Sequence, residues 1–159
     1  MKITKKVVML ISSVFCIAIA ILFAVFYLNA PKTRLVANVE GASLITSRIL
    51  EIPADQSSII KSAEMATYRK NGIEVNITVV QTLNESVAQS ILQLLKAFYL
   101  AQDLSLENIT ILEHAILLYN SDRPFIVIAC SQEFVILSQS WDRNLALDAA
   151  VTQVDALTK

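Results

Sequence analysis

His114 is the only histidine of the chain, and sixteen residues later comes Cys130, the one cysteine outside an apolar N-terminal run. A thiol beside an imidazole is the arrangement in which a base activates a nucleophile. If the turn at residues 120–124 joins two antiparallel strands, Cys130 falls nearly opposite Glu113 or His114. A slip of one residue would send the pair to opposite faces, and no stretch reads as an oxyanion element. The competing state is an ordinary strand histidine and a small buried thiol within the apolar run 126–130. Glu113 and Glu133 are a second pair that the same meander could bring together, although singly scattered acids usually belong to the surface.

The remaining chemistry is excluded more simply. One histidine rules out a His-rich metal site, and with no Cys cluster or EF-hand loop no metal is expected. Gly41 and Gly72 are the only glycines, too few for phosphate-cradling fingerprints, so no cofactor is expected. No serine has a G-x-S-x-G or S-x-x-K setting. Cys16 lies in the apolar run, so a disulfide within the domain is impossible, though Cys130 could bridge two chains in an oxidising compartment. Beyond residue 34 the chain has eight basic and fourteen acidic residues, a net charge of −6, which argues against nucleic acid. Asn76, Asn84 and Asn108 begin Asn-x-Ser/Thr triplets, a pattern expected by chance in such a chain. Three residues suit an interface: Tyr119 and Arg123 edge a turn and Trp141 follows a strand, types favoured at binding hot spots. The plainer role for Trp141 is to cover the edge of the core.

These residues need elements to position them. Residues 73–82 alternate as a strand, with Ile73, Val75, Ile77 and Val79 on one face and Glu74, Asn76 and Thr78 on a wet one. Thr82 and Glu85 have capping-box spacing, with Asn84 as rival cap. They open a helix to about residue 102, whose broad apolar face holds Val87, Ala88, Ile91, Leu94, Leu95, Phe98 and Tyr99. So wide a stripe means deep packing on a sheet or packing that continues into a partner. Residues 109–119, 125–130 and 134–137 read as a three-stranded meander joined by short loops. Residues 126–129, apolar on both faces, belong centrally in it. A last helix opens at Trp141-Asp142, with Leu147, Val151, Val154 and Leu157 inward. Residues 44–52 fit a strand by alternation or a short helix by spacing, and Pro53 ends them either way. Residues 55–70 are expected to be helical: Ala63, Glu64, Met65 and Ala66 are helix formers, and Arg69-Lys70-Asn71-Gly72 is a helix stop. A hairpin about Asn71-Gly72 is the rival. The fold class is therefore α+β, with a mainly antiparallel sheet of four to five strands and two or three helices.

Residues 7–28 set the location. These twenty-two residues carry no charge, Gly or Pro, and at about 1.5 Å per residue a helix of this length spans the roughly 30 Å core of a bilayer. A removable signal is the alternative, but its apolar core is usually about 7–15 residues long, and Leu28-Asn29-Ala30 before Pro31 makes a poor cleavage site. The organisation expected is a basic tail at 1–6, an uncleaved transmembrane helix at 7–28, a link at 29–38 and one domain at 39–159. Lys2, Lys5 and Lys6 precede the span while Lys32 and Arg34 follow it, so the N-terminus is expected in the cytoplasm. The domain then lies outside it, in the periplasm if the cell is Gram-negative. With no catalytic constellation, the expected function is non-catalytic assembly with other membrane or envelope proteins, or with copies of itself. A second reading is an apolar-ligand or lipid-binding domain with a cavity beneath Val87, Ile91, Leu94 and Phe98; a third is a secreted form freed from a signal peptide.

Overall fold

The structure, a computed structural model, describes residues 35–109, 112 and 114–158. The expected tail, membrane span and first part of the link, along with Glu113, lie outside the described residues. Among those described, seven strands form one antiparallel sheet in the order β1-β2-β3-β7-β6-β5-β4. They are β1 (Ser43–Ile49), β2 (Ile60–Lys70), β3 (Ile73–Thr82), β4 (Ser105–Asn108), β5 (Ala115–Asn120), β6 (Arg123–Ser131) and β7 (Phe134–Ser140). Two helices, α1 (Glu85–Leu100) and α2 (Arg143–Leu157), complete it. The expected α+β class holds, with seven strands in place of four to five and two helices. Among the described residues no helix is long and apolar enough to cross a membrane.

The extra strands have identifiable causes. Residues 60–70 are strand β2 and not the expected helix. Asn71 (φ 53°) and Gly72 (φ 82°) both take left-handed backbone, as a two-residue hairpin turn requires, and pair Lys70 with Ile73. Every residue from Ser62 to Lys70 then has a partner on β3. That ladder, with Ala66 and Tyr68 buried, overrides the helix propensity of Ala63 to Ala66. Of the strand expected over 109–119, only residues from Ala115 onward are strand, in β5, and the unexpected β4 precedes that range and pairs with β5 from Ser105–Tyr119 to Asn108–Ile116. The ambiguous 44–52 contributes β1, paired to β2 with a bulge between Leu44 and Thr46.

The helices cover opposite faces. In β6, Val127 and Ala129 join the core beneath α2, while Ile126, Ile128 and Cys130 join the core beneath α1, which explains why this strand is apolar on both sides. Asn84, not Thr82, caps α1, its Oδ1 accepting from the Val87 amide at 3.0 Å. The Thr82 hydroxyl is engaged with the carbonyls of Asn84 and Glu133 instead. Asp142 caps α2 through the Leu145 amide. The buried face of α2 is Leu145, Ala146, Ala149, Ala150 and Gln153, whereas Leu147, Val151, Val154 and Leu157 pack along its flanks. Three alanines in that stripe let the helix backbone approach the sheet closely. Ser138 pairs with Ile77 and Val127, both in the core beneath α2, and among the described residues its buried hydroxyl has no hydrogen-bond partner. Ser138→Ala is therefore expected to leave stability unchanged or raise it by about 1 kcal/mol, read as a urea midpoint at constant slope.

Among the described residues, 35–38 of the expected link already pack on the domain. Val36 and Val39 are buried in the core beneath α2. The segment from Leu35 runs along β2 and is held by three buried side chains. The Glu64 carboxylate accepts from the amides of Leu35 (2.6 Å) and Val36 (3.3 Å) and from the Ser47 hydroxyl (2.8 Å). Gln153 holds Ala37 at both ends, its Oε1 accepting from the amide at 2.6 Å and its Nε2 donating to the carbonyl at 3.0 Å. The Tyr68 hydroxyl lies 3.2 Å from the same carbonyl.

Candidate functional site

The possible nucleophile pair resolves into neighbours with the wrong electrostatics. His114, with left-handed backbone (φ 57°), stands just before β5, and its carbonyl accepts the Cys130 amide at 3.2 Å. The Cys130 side chain is buried beneath α1 with Ala88 and Leu92. Burial, reinforced by the negative charge of Glu85, pushes its thiol from the ordinary value near 9 to about 11. A nucleophilic cysteine needs the opposite shift. Glu133, the described half of the carboxylate pair, accepts from Gln81 (2.9 Å) and lies beside Lys61 (3.5 Å). The Gln81 hydrogen bond, with help from the Lys61 charge, holds its carboxyl below the usual range, the reverse of what a general acid requires. Among the described residues no three His, Cys, Asp or Glu side chains converge to hold a metal ion.

Cys130 yields a pH prediction. The folded state holds the thiol proton more tightly than the unfolded chain does. The associated stability is thus complete below about 9 and is lost as pH rises through about 11. Iodoacetamide at pH 8 should leave Cys130 of the folded protein unmodified and alkylate it in denaturant, as mass spectrometry of the Cys130 peptide would show. Rapid modification of Cys130 in the folded chain at pH 8 would contradict the burial described.

The residues expected to serve binding share one end of the sheet. Tyr119 is the next-to-last residue of β5, opposite Ser105, Arg123 opens β6 opposite Asn120, and Trp141 follows Ser140, which pairs with Val75 and Phe125. Trp141 is 65% exposed and so does not cover the core edge. Helix α1 arrives at the same end: Gln102 accepts from Arg123 at 2.6 Å, and the Asp103 carbonyl accepts from Asn120 at 3.3 Å.

The feature underread in the sequence is the direction of the α1 stripe. Only Ala88 and Leu92 are fully buried, with Ile91, Leu95 and Tyr99 packed beside them. Leu94 is 69% and Phe98 59% exposed, and Leu100 is exposed with them. Phe98 meets Tyr99 edge to face, with ring centroids 5.3 Å apart. Tyr99 is fixed by Gln139, whose amide donates to the phenol at 3.4 Å, while burial raises the phenol pKa. Leu94 and Phe98 therefore do not roof a ligand cavity. The signal was present in the stripe's width: seven apolar positions are more than one sheet contact can cover.

No protein-family model matches the chain, and no curated protein matches it in sequence. The fold is similar to that of a solved structure, the extracellular domain of PknH from Mycobacterium tuberculosis, at TM-score 0.54 and 10% identity, over 78% of this chain and 93% of that one.

Proposed function

We propose that this chain is a single-pass, membrane-anchored protein whose extracytoplasmic domain assembles with another protein and performs no catalysis. The observation that carries the reading is the exposed apolar pair Leu94 and Phe98, one turn apart on α1, a helix that runs to the sheet end presenting Trp141, Tyr119 and Arg123. An exposed leucine and phenylalanine one turn apart, on a helix ending near exposed Trp, Tyr and Arg residues, have the composition of an interface. Placement outside the cytoplasm is supported by the lysines before residues 7–28 and by the likeness of the fold to a domain described as extracellular. The test is a photo-activatable amino acid at Phe98 of the full chain in its native membrane. A discrete light-dependent protein adduct is the expected result. A chain that stays adduct-free and monomeric overturns the proposal.

A further inference from the structure

Helix α1 lies over β3, β7 and β6, so the β5–β4 edge of the sheet extends past its flank. Helix and edge bound a cleft of about 520 Å³, within the range of roughly 300–1,000 Å³ typical of small-molecule sites. Its apolar base includes Leu92 from the helix and Ile116 from β5, both buried. Its polar lining comes from both walls. Gln89, Gln93 and Lys96 recur along one side of α1 at helical spacing, and Asn108 stands across from them on β4. Register turns Asn108 to this side: it pairs with Ile116, which belongs to the core beneath α1, and opposed residues share a face. Glu107, one residue earlier, points to the other face, where Arg143 donates to it at 2.7 Å. Among the described residues no acid lines the cleft.

These polar groups are unspent. Gln89 and Lys96 are half-buried, Gln93 and Asn108 exposed, and among the described residues none of the four side chains has a hydrogen bond or ion pair. Elsewhere such groups engage one another, as half-buried Gln81 does with Glu133. We propose that the cleft binds a small organic monocarboxylate with a compact apolar body. The carboxylate accepts from the Lys96 ammonium and from the side-chain amides, a charge-assisted arrangement, while the body lies over Leu92 and Ile116. One lysine among neutral amides matches a single negative charge. A phosphate dianion would be underpaired there, in a domain already at net −6 beyond residue 34. The cleft is separate from the assembly surface, because Phe98 stands about 160° round α1 from Lys96.

The experiment uses the full chain in phosphatidylcholine nanodiscs, with empty nanodiscs as background. Binding of para-fluorophenylacetate is read from its fluorine NMR linewidth, and para-fluorophenylacetamide serves as the neutral isostere. The carboxylate is expected to bind saturably and at least about tenfold more tightly than the amide. Lys96→Gln should weaken it about tenfold or more, and Lys96→Arg should restore most of the affinity. Gln93→Trp, which fills the cleft from its exposed rim, should abolish binding. Both positions lie on the helix surface and not in the core, so the fold is retained. Leu94→Glu with Phe98→Glu should leave the probe's affinity unchanged, so loss of the assembly reading would not remove this one. Absence of saturable binding overturns the proposal, as does equal binding of acid and amide. Unchanged affinity in either Lys96→Gln or Gln93→Trp also overturns it, because the probe then binds elsewhere.

Discussion

Gln153→Leu is expected to lower the unfolding free energy by about 2–3 kcal/mol, although leucine nearly preserves the volume and the site is fully buried. The loss is polar. Gln153 is the acceptor for the Ala37 amide and a donor to the Ala37 carbonyl. The Tyr68 hydroxyl remains within reach of that carbonyl, so the substitution chiefly strands the N–H of half-buried Ala37. An unsatisfied buried donor costs about 1–3 kcal/mol, and the lost carbonyl contact adds to it. Hydrogen exchange should show where the damage falls: the Ala37 amide accelerates more than amides of β6, which the change does not touch. Uniform acceleration, or none, would mean that Gln153 does not hold this segment.

The paired substitution Leu94→Glu and Phe98→Glu is expected to abolish the assembly proposed above, weakening association at least about thirtyfold, as loss of one hot-spot contact of about 2 kcal/mol does. Stability should change by no more than about 0.5 kcal/mol, because both side chains already face solvent. Thermal midpoint and adduct yield, measured on the same preparation, separate the two effects. Joint loss would mean that these residues pack in the core. Unchanged yield would move the interface elsewhere.

Much of the architecture was legible because it is written in local periodicity. The alternation of residues 73–82 is β3, the two-sided apolar run 126–129 lies inside the sheet, and Asn84 before a 3.6-residue repeat is the cap of α1. Residues 60–70 were misread because their spacing also suits a helix: Ile60, Ala63 and Ala66 recur every third residue. What decides for a strand is the partner β3, a contact that no window over 55–70 contains. The turn at Asn71-Gly72 was the local clue, outweighed by Arg69 and Lys70, which imitate a helix end but lie on the sheet, Arg69 beside Glu74. The site was only partly legible for a related reason. Width told that the α1 stripe exceeds one contact, but which residues the sheet leaves uncovered depends on helix rotation, fixed here by Ala88 and Leu92. The inward face of α2 was misjudged likewise, because Ala146, Ala149 and Ala150 carry little hydrophobic signal yet permit the closest approach.

The hold on Leu35, Val36 and Ala37 also has a mechanical meaning. Traction from the N-terminal side reaches the two amides on the Glu64 carboxylate before it reaches Gln153, and Gln153 before the hairpin that follows. Because the segment lies lengthwise on β2, force in line with it shears several charged and amide hydrogen bonds together, whereas force lifting it off the sheet breaks them one after another. Glu64 is accordingly the first bearing point of the domain: the residue at which its resistance to strain depends on the direction of pull.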